Sequence, residues 1–257
     1  MYDYTRNQVK IVYNGLMRLD RLLANSGYGT RSEVKDLIRK GLVTCDGRII
    51  KDPGAHVDIT AVIHIGQDKA TIRERIYLLL DKPDCMLTAS EDKRLPSVGD
   101  LIPPDLKSKK ISPVGRLDYH TTGLLILTND GELSHRLTSP KYAVEKVYRV
   151  AYEGSAFTGE EVSLLSKGIT LVEQSGPVKL APCRMDLYDN NICELTLTEG
   201  KTHEVRRIIS HFGRTVTELR RIKLGCVILD TCEPGSLREL TEDEVSGLRS
   251  LCGLSDT

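Results

Sequence analysis

Residues 115–140 read GRLDYHTTGLLILTNDGELSHRLTSP. Within them Leu124–Thr128 is an apolar run too short for an independent helix and without alternating polar positions. That pattern fits a strand covered on both faces. Asn129-Asp130-Gly131 supplies a turn, and Glu132–Thr138 reads as a helix after it. Ahead of the strand stands a lone acid, Asp118, in a loop with Gly115 and Gly123 on either side. A single loop aspartate is ordinarily a turn or cap residue, so its meaning depends on the rest of the chain.

Working outward, Ile76–Leu80 is a second continuous apolar strand, which Lys82-Pro83 stops. Residues 88–113 have loop composition, with Pro96, Pro103, Pro104 and Pro113 and the cationic run Lys107, Lys109, Lys110. Further strands are expected at Val147–Glu153, Ala181–Tyr188, Ile192–Thr198, Val216–Arg221 and Val227–Asp230. Helices are expected at Thr158–Lys167, His203–Phe212 and Thr241–Leu251. Strands outnumber helices, and Asp189-Asn190-Asn191 is a hairpin signal. Residues 76–257 therefore read as an α+β domain around a mixed, largely antiparallel sheet. There is no internal repeat, no phosphate-binding P-loop and no G-x-G-x-x-G, so nothing supports ATP or NAD chemistry.

Residues 17–65 form a separate small module. Arg18–Asn25 reads as a short helix with Leu19, Leu22 and Leu23 on one face, broken by Gly27 and Gly29. Thr30, with Glu33 three residues later, opens a second helix as a capping box. Val34, Leu37 and Ile38 form its apolar stripe, and Gly41 ends it. Arg31, Lys35 and Arg39 recur every four residues on another face, with Lys40 beside them, and Asp36 is the one acid after the cap. Asp46-Gly47 between Leu42–Cys45 and Arg48–Ile50 predicts a tight hairpin. Residues 1–16 read as an extension, and the polar stretch 66–75 as a linker.

The chain of 257 residues has 36 basic and 36 acidic side chains, and the zero net charge conceals segregation. Residues 1–75 hold 13 Lys/Arg against 9 Asp/Glu, 201–223 hold 7 against 2, and 224–257 hold 2 against 7. Two basic zones on a neutral chain suit contacts to a polyanion. A rigid helix face bearing guanidinium and ammonium groups reaches successive phosphates of folded RNA. The seven cysteines, at 45, 85, 183, 193, 226, 232 and 252, are scattered and never spaced C-x-x-C. Reduced cytoplasmic thiols are the expectation, without a zinc ribbon or disulfide framework. No apolar run reaches membrane-helix length, and the N-terminal residues lack the long apolar core of a secretion signal.

MRLDRLLANSGYGTRSEVKDLIRKGLVTCDGRIIKD, residues 17–52, resembles the S4-type RNA-binding domain. Three further segments resemble, in this order, the motifs of RNA pseudouridine synthases: residues 115–140, Lys146–Val150 (KVYRV), and the basic stretch from Glu199 into Lys223. The nearest likeness is to the RsuA-type branch, which carries an N-terminal S4 domain, and it spans about residues 17–235.

The resemblance implies isomerisation of uridine to pseudouridine in ribosomal RNA. Asp118 would be the essential carboxylate, Arg206 its cationic partner and Tyr148 the ring packed on the target base. Arg116 and Lys146 would contact phosphate, joined in RNA binding by Arg18, Arg21, Arg31, Lys35, Arg39, Lys40, Arg207 and Arg221. Isomerisation needs neither a cofactor nor a metal; His203 and His211, eight apart, lack matched ligand spacing. RLDRLLANSGYGTR (18–31) and LLLDKPDCMLTASED (78–92) look more like the small-subunit branch. They imply 16S RNA or a 30S assembly intermediate as substrate, for a monomeric cytoplasmic enzyme. The rival readings are a 23S enzyme, a non-catalytic S4-type assembly factor, and a phosphate-handling metalloenzyme. Two positions depart from the family pattern: His120, where an acid is common, and Glu204, where glutamine is usual.

Overall fold

The computed structural model describes residues 16–254 except 59, 73–74, 105, 174–175, 189–190 and 231–232. The extension expected before Met17 lies outside the described residues as far as residue 15, and Leu16 already belongs to a strand. Two compact units meet in sequence at Ile76 and Tyr77.

The first unit contains β1 (Leu16–Arg18), α1 (Leu19–Asn25), α2 (Arg31–Arg39), β2 (Val43–Cys45), β3 (Arg48–Ile50), β4 (His56–Asp58), β5 (Ile63–Ile65) and β6 (Asp68–Lys69). Thr30 caps α2 as the sequence predicts. Its hydroxyl accepts from the Glu33 amide, and the Glu33 carboxylate accepts from the Thr30 amide at 2.8 Å, satisfying two amides that the helix leaves over. Leu19, Leu22, Leu23, Val34 and Ile38 are fully buried with Val43 and Ile63. Each such side chain contributes about 1.5–3 kcal/mol. In the β2–β3 hairpin the turn residues Asp46 and Gly47 have φ of 49° and 78°, the pair of positive values that the type I′ turn requires.

Residues 66–75 are not the free linker that their polarity suggests. Asp68–Lys69 adds a strand to β5, Ala70 is buried in the small core, and Ile72 packs against it. The backbone pairing and two apolar side chains carry this segment into the fold, and average polarity hides both. Arg73 and Glu74 lie outside the described residues.

The second unit contains β7 (Tyr77–Lys82), β8 (Ser112–Pro113), β9 (Thr122–Thr128), α3 (Gly131–Thr138), β10 (Lys146–Glu153) and α4 (Gly159–Leu165). It continues with β11 (Thr170–Glu173), β12 (Gly176–Lys179), β13 (Arg184–Tyr188), β14 (Ile192–Leu197), α5 (Glu204–His211) and β15 (Thr215–Leu224). It ends with β16 (Val227–Ile228), β17 (Leu237–Glu239) and α6 (Glu242–Leu251). Its main sheet runs β13-β14-β10-β15-β9-β7-β17, with β16 on β15 and β8 on β9. Among the described residues the β9–β15 pairing is parallel and its other pairings are antiparallel. This is the α+β architecture with a mixed, mostly antiparallel sheet. Leu124–Leu127 and Leu78–Leu80 are fully buried, as continuous apolar runs demand of central strands.

The details differ from expectation at several places. β7 does not stop after Leu80 but runs on through Asp81 and Lys82, two fully buried charges. The strand expected from Ala181 begins only at Arg184, past Pro182, whose nitrogen has no proton to give a ladder. The β11–β12 hairpin and β17 carry too few alternating apolar residues to be read in advance. β13 and β14 do form the expected hairpin pair, although Asp189 and Asn190 of its turn lie outside the described residues.

Gly123 fixes where β9 and β15 meet. Its φ is +98°, and a Cβ there would fall 2.3 Å from the Arg221 carbonyl oxygen. Through this crossing Lys82, Gly123, Arg221, Tyr148 and Leu195 stand in one row across β7, β9, β15, β10 and β14.

Candidate active site

Asp118 lies in the loop entering β9, and that loop is pinned by its backbone. The Thr88 hydroxyl donates to the Leu117 carbonyl at 2.6 Å and accepts from the Leu117 amide at 3.1 Å. The Thr121 amide closes a turn onto the Asp118 carbonyl at 3.0 Å. Lys82 Nζ donates to the carbonyls of Tyr119 at 3.2 Å and Thr121 at 2.9 Å, and to that of Pro83 at 3.1 Å. Arg206 Nη2 donates to the His120 carbonyl at 3.0 Å. Every carbonyl from Leu117 to Thr121 is thus engaged. The Asp118 side chain, 36 % exposed, is left facing outward with its orientation set by the loop.

The side chain that stands against the carboxylate is not the expected arginine. His203 Nε2 stands 3.5 Å from Asp118 Oδ1. His203 caps α5 in the left-handed conformation, with φ of 52°, which turns the chain sharply before the helix. Arg206, one turn on, makes no ion pair with Asp118 among the described residues; its guanidinium is committed to the loop backbone two residues further along. Arg206 and Asp118 therefore meet through the loop, which corrects the direct pairing.

Glu204 does not compete for Arg206 either. It is buried beside Glu199, and its Oε2 accepts from the Lys201 amide at 2.8 Å, while Oε1 makes no hydrogen bond of good geometry among the described residues. Burial, reinforced by neighbouring Glu199, pushes its carboxyl up to about 7 against the Lys201 amide bond, which works the other way.

Two residues expected on an RNA-facing surface are interior. Lys146 is only 9 % exposed and donates to the Val144 carbonyl at 3.0 Å. Burial first, then the like charge of Arg221, lowers its pKa. Arg221 is 3 % exposed, and its Nε donates to the Leu124 carbonyl at 2.7 Å. Both alternate inward on strands in mid-sheet, so neither reaches phosphate. Arg207 is half-buried and donates to the Thr202 carbonyl at 3.1 Å. Arg116 is exposed and has no ion pair or hydrogen bond among the described residues. Tyr148 is half-buried against the apolar core, on the row that crosses Gly123.

In the small unit Arg39 and Lys40 are exposed, and Arg31 and Lys35 half-buried. Arg39 lies 3.4 Å from Asp36, an exposed contact of little energetic weight. Arg18 is turned onto the buried Asp20 by two hydrogen bonds, and Arg21 is half-buried beside it. Burial works against ionising Asp20, but Arg18, the Arg21 amide and Arg31 together outweigh it, so its pKa is lowered.

Lys82, Thr88 and His203 were not among the residues singled out from sequence for this site. The signal for Lys82 was slight: a lysine two residues beyond an apolar run, ahead of a proline. Burial lowers Lys82 to about 8, with Asp84 and Asp118 nearby working to raise it. Arg220 also escaped notice. It passes over Gly123 to pair with buried Asp81 at 2.5 Å, tying β15 to β7 across β9. Burial nonetheless leaves the Asp81 carboxyl raised.

A pinned, outward-facing carboxylate at the head of a central strand, in a chain that also carries a helix-and-hairpin module with a cationic helix face, fits the class of RNA-modifying enzymes with an accessory RNA-binding domain. Comparison with known proteins gives the class its family. Residues 76–211 match the RNA pseudouridylate synthase family and residues 17–63 the S4 domain. The chain is 42 % identical to an uncharacterized RNA pseudouridine synthase, YtzG, of Bacillus subtilis, over 89 % of this chain and 97 % of that protein. It is 34 % identical both to ribosomal large subunit pseudouridine synthase B of Bacillus subtilis (91 % and 96 % covered) and to ribosomal small subunit pseudouridine synthase A of Haemophilus influenzae (90 % and 99 %). A crystal structure of a pseudouridylate synthase aligns with TM-score 0.63 at 31 % identity, over 90 % of this chain and 99 % of that one. The chain belongs to the RNA pseudouridine synthase family, and it is an isomerase with an N-terminal S4 domain. No helix among the described residues is long and apolar enough to cross a membrane.

Proposed function

We propose that the protein converts one uridine of small-subunit (16S) ribosomal RNA, free or within a 30S assembly intermediate, into pseudouridine, with Asp118 as the catalytic carboxylate. The bond from C1′ to N1 breaks, the uracil turns, and a bond from C1′ to C5 forms. C5 loses its proton and N1 gains one, so the atoms balance without a co-reactant. C1′ of a stacked uridine is inaccessible, so the nucleotide must first leave the helix, at a cost of a few kcal/mol.

One observation carries this reading: the Asp118 carboxylate is accessible while each carbonyl of its loop is held. Such preorganisation keeps a reacting group aimed without reorganisation during the reaction. His203 supplies a polar neighbour, Arg206 holds the loop, Tyr148 packs on the base, and Arg116 is free to meet the phosphate of the extruded nucleotide. The α2 face, with Arg31, Lys35, Arg39 and Lys40, supplies sequence-independent affinity.

The preference for 16S rests on residues 18–31 and 78–92. Relatives named for the small and large subunits are equally similar, so the assignment needs a direct test. Purified protein is incubated with unmodified 16S RNA, 23S RNA or 30S intermediates, and pseudouridine is mapped by carbodiimide-dependent primer-extension stops. A single new stop in 16S RNA is expected, absent with Asp118→Asn while RNA binding stays within a few-fold. A stop confined to 23S RNA overturns the subunit assignment. A fully active Asp118→Asn variant overturns the role of the carboxylate.

A further inference from the structure

Beside the proposed catalytic loop lies a second cluster, made of Asp84, Cys85 and His120. One donor atom from each falls within 4.8 Å of the others, and this is the one such trio of His, Cys, Asp and Glu ligand atoms among the described residues. His120 Nδ1 is 3.1 Å from Asp84 Oδ1 and 3.9 Å from Cys85 Sγ. Tetrahedral coordination at usual zinc bond lengths puts ligand nitrogen and oxygen about 3.3 Å apart, and nitrogen and sulfur about 3.6 Å apart. The observed separations lie within a few tenths of an ångström of both, so the imidazole already stands near ligand spacing from the other two donors.

Two further features set the cluster apart from a chance surface contact. Cys85 is held at φ of 56°, a left-handed conformation that residues with a Cβ rarely adopt, and such a conformation is retained where the surroundings impose it. The Cys85 amide donates to Asp84 Oδ1 at 2.8 Å, and Lys82 anchors the backbone on both sides of the cluster. Its buried ammonium binds the carbonyl of Pro83, next to Asp84, and the carbonyls of Tyr119 and Thr121, which flank His120. One cation thus fixes the spacing of both ligand-bearing segments before any ion arrives. All three side chains are exposed and reach solvent.

We propose that Asp84, Cys85 and His120 form a binding site for a thiophilic divalent cation of the Zn2+ class. One thiolate, one imidazole and one carboxylate make a set that suits zinc better than magnesium or calcium, which prefer all-oxygen surroundings. Three protein ligands leave a fourth position open to water. On binding, the Cys85 thiol gives its proton to solvent, and His120 coordinates through Nδ1 with its proton on Nε2, ending the contact with Asp84 Oδ1. Ion binding here is independent of which RNA is modified.

The probe is Co2+ added to the reduced, metal-free full-length chain, followed by titration with Zn2+. Wild type is expected to develop a thiolate-to-cobalt charge-transfer band at one equivalent, which Zn2+ abolishes. Cys85→Ser and His120→Ala should each lose the band and weaken Zn2+ binding at least about tenfold. Cys226→Ser, which removes another exposed cysteine, should keep both. Circular dichroism melts show whether each variant is folded; exposed positions make that the expected result. Absence of the band in wild type, or its persistence in folded Cys85→Ser, overturns the site.

Discussion

His203 places its Nε2 3.5 Å from Oδ1 of Asp118, while the guanidinium of Arg206 is spent on the carbonyl of His120 at 3.0 Å. The two bases at the start of α5 therefore act on different parts of the loop. His203→Ala removes a neighbour of the carboxylate and is expected to lower the single-turnover rate about tenfold. Arg206→Ala frees the loop backbone and is expected to lower it about a hundredfold, because small misplacements of a reacting group cost that much. Arg206→Lys should not restore the rate, since an ammonium on a shorter stem does not reach the His120 carbonyl as Nη2 does. Rates measured with enzyme in excess over RNA check this; an Arg206→Ala variant as fast as wild type refutes the loop-holding role.

Lys82 is the counterpart from below. Its ammonium satisfies three carbonyls in a site closed to water, and Lys82→Met leaves all three without that donor. Each orphaned group costs about 1–3 kcal/mol, partly relieved by removing a buried charge. A drop in melting temperature and a fall in turnover of about a hundredfold are expected, with RNA affinity within a few-fold of wild type. Unchanged turnover in a folded variant would mean that the loop holds its shape without the lysine.

How much of this was legible in the sequence follows from the kind of signal each residue leaves. The capping box at Thr30 and Glu33, the Asp46-Gly47 turn and the buried run Leu124–Leu127 are local, and all appear where expected. Asp118 and Tyr148 were proposed through motif resemblance, a signal of a different kind. Partners fixed by tertiary geometry were not: nothing near Lys82 in sequence says that it will reach Tyr119, and nothing at Arg220 points to Asp81. Lys146 and Arg221 were misjudged because a charge in a strand alternates between faces, and composition alone does not show which face is solvent.

That misjudgement separates two sets of cations experimentally. Lys35→Glu and Lys40→Glu change charges that have no ion pair or hydrogen bond among the described residues on the small unit, and both should weaken RNA binding and flatten its dependence on salt. Lys146→Met and Arg221→Met alter buried groups and should move the melting temperature while leaving the salt slope as it was. Binding isotherms at a series of salt concentrations distinguish the sets. A reduced slope in Arg221→Met would return that residue to the RNA-facing surface.

Glu204 gives the chain a dependence on pH that a glutamine there would not. Burial first, and Glu199 second, hold its carboxyl at about 7, above the ordinary 4.5. A carboxyl raised by folding binds its proton more tightly in the folded state. Its contribution to stability is complete below about pH 4.5 and is lost as pH rises through about 7. Glu204→Gln keeps an acceptor for the Lys201 amide and a donor toward Glu199 but cannot ionise. The variant should match wild type near pH 5 and exceed it by about 1–3 kcal/mol near pH 8. For a unit of this size that corresponds to a melting temperature higher by about 2–4 °C per kcal/mol. Thermal melts across that range test it: a difference between the two proteins that stays constant with pH would show that Glu204 does not titrate in this window.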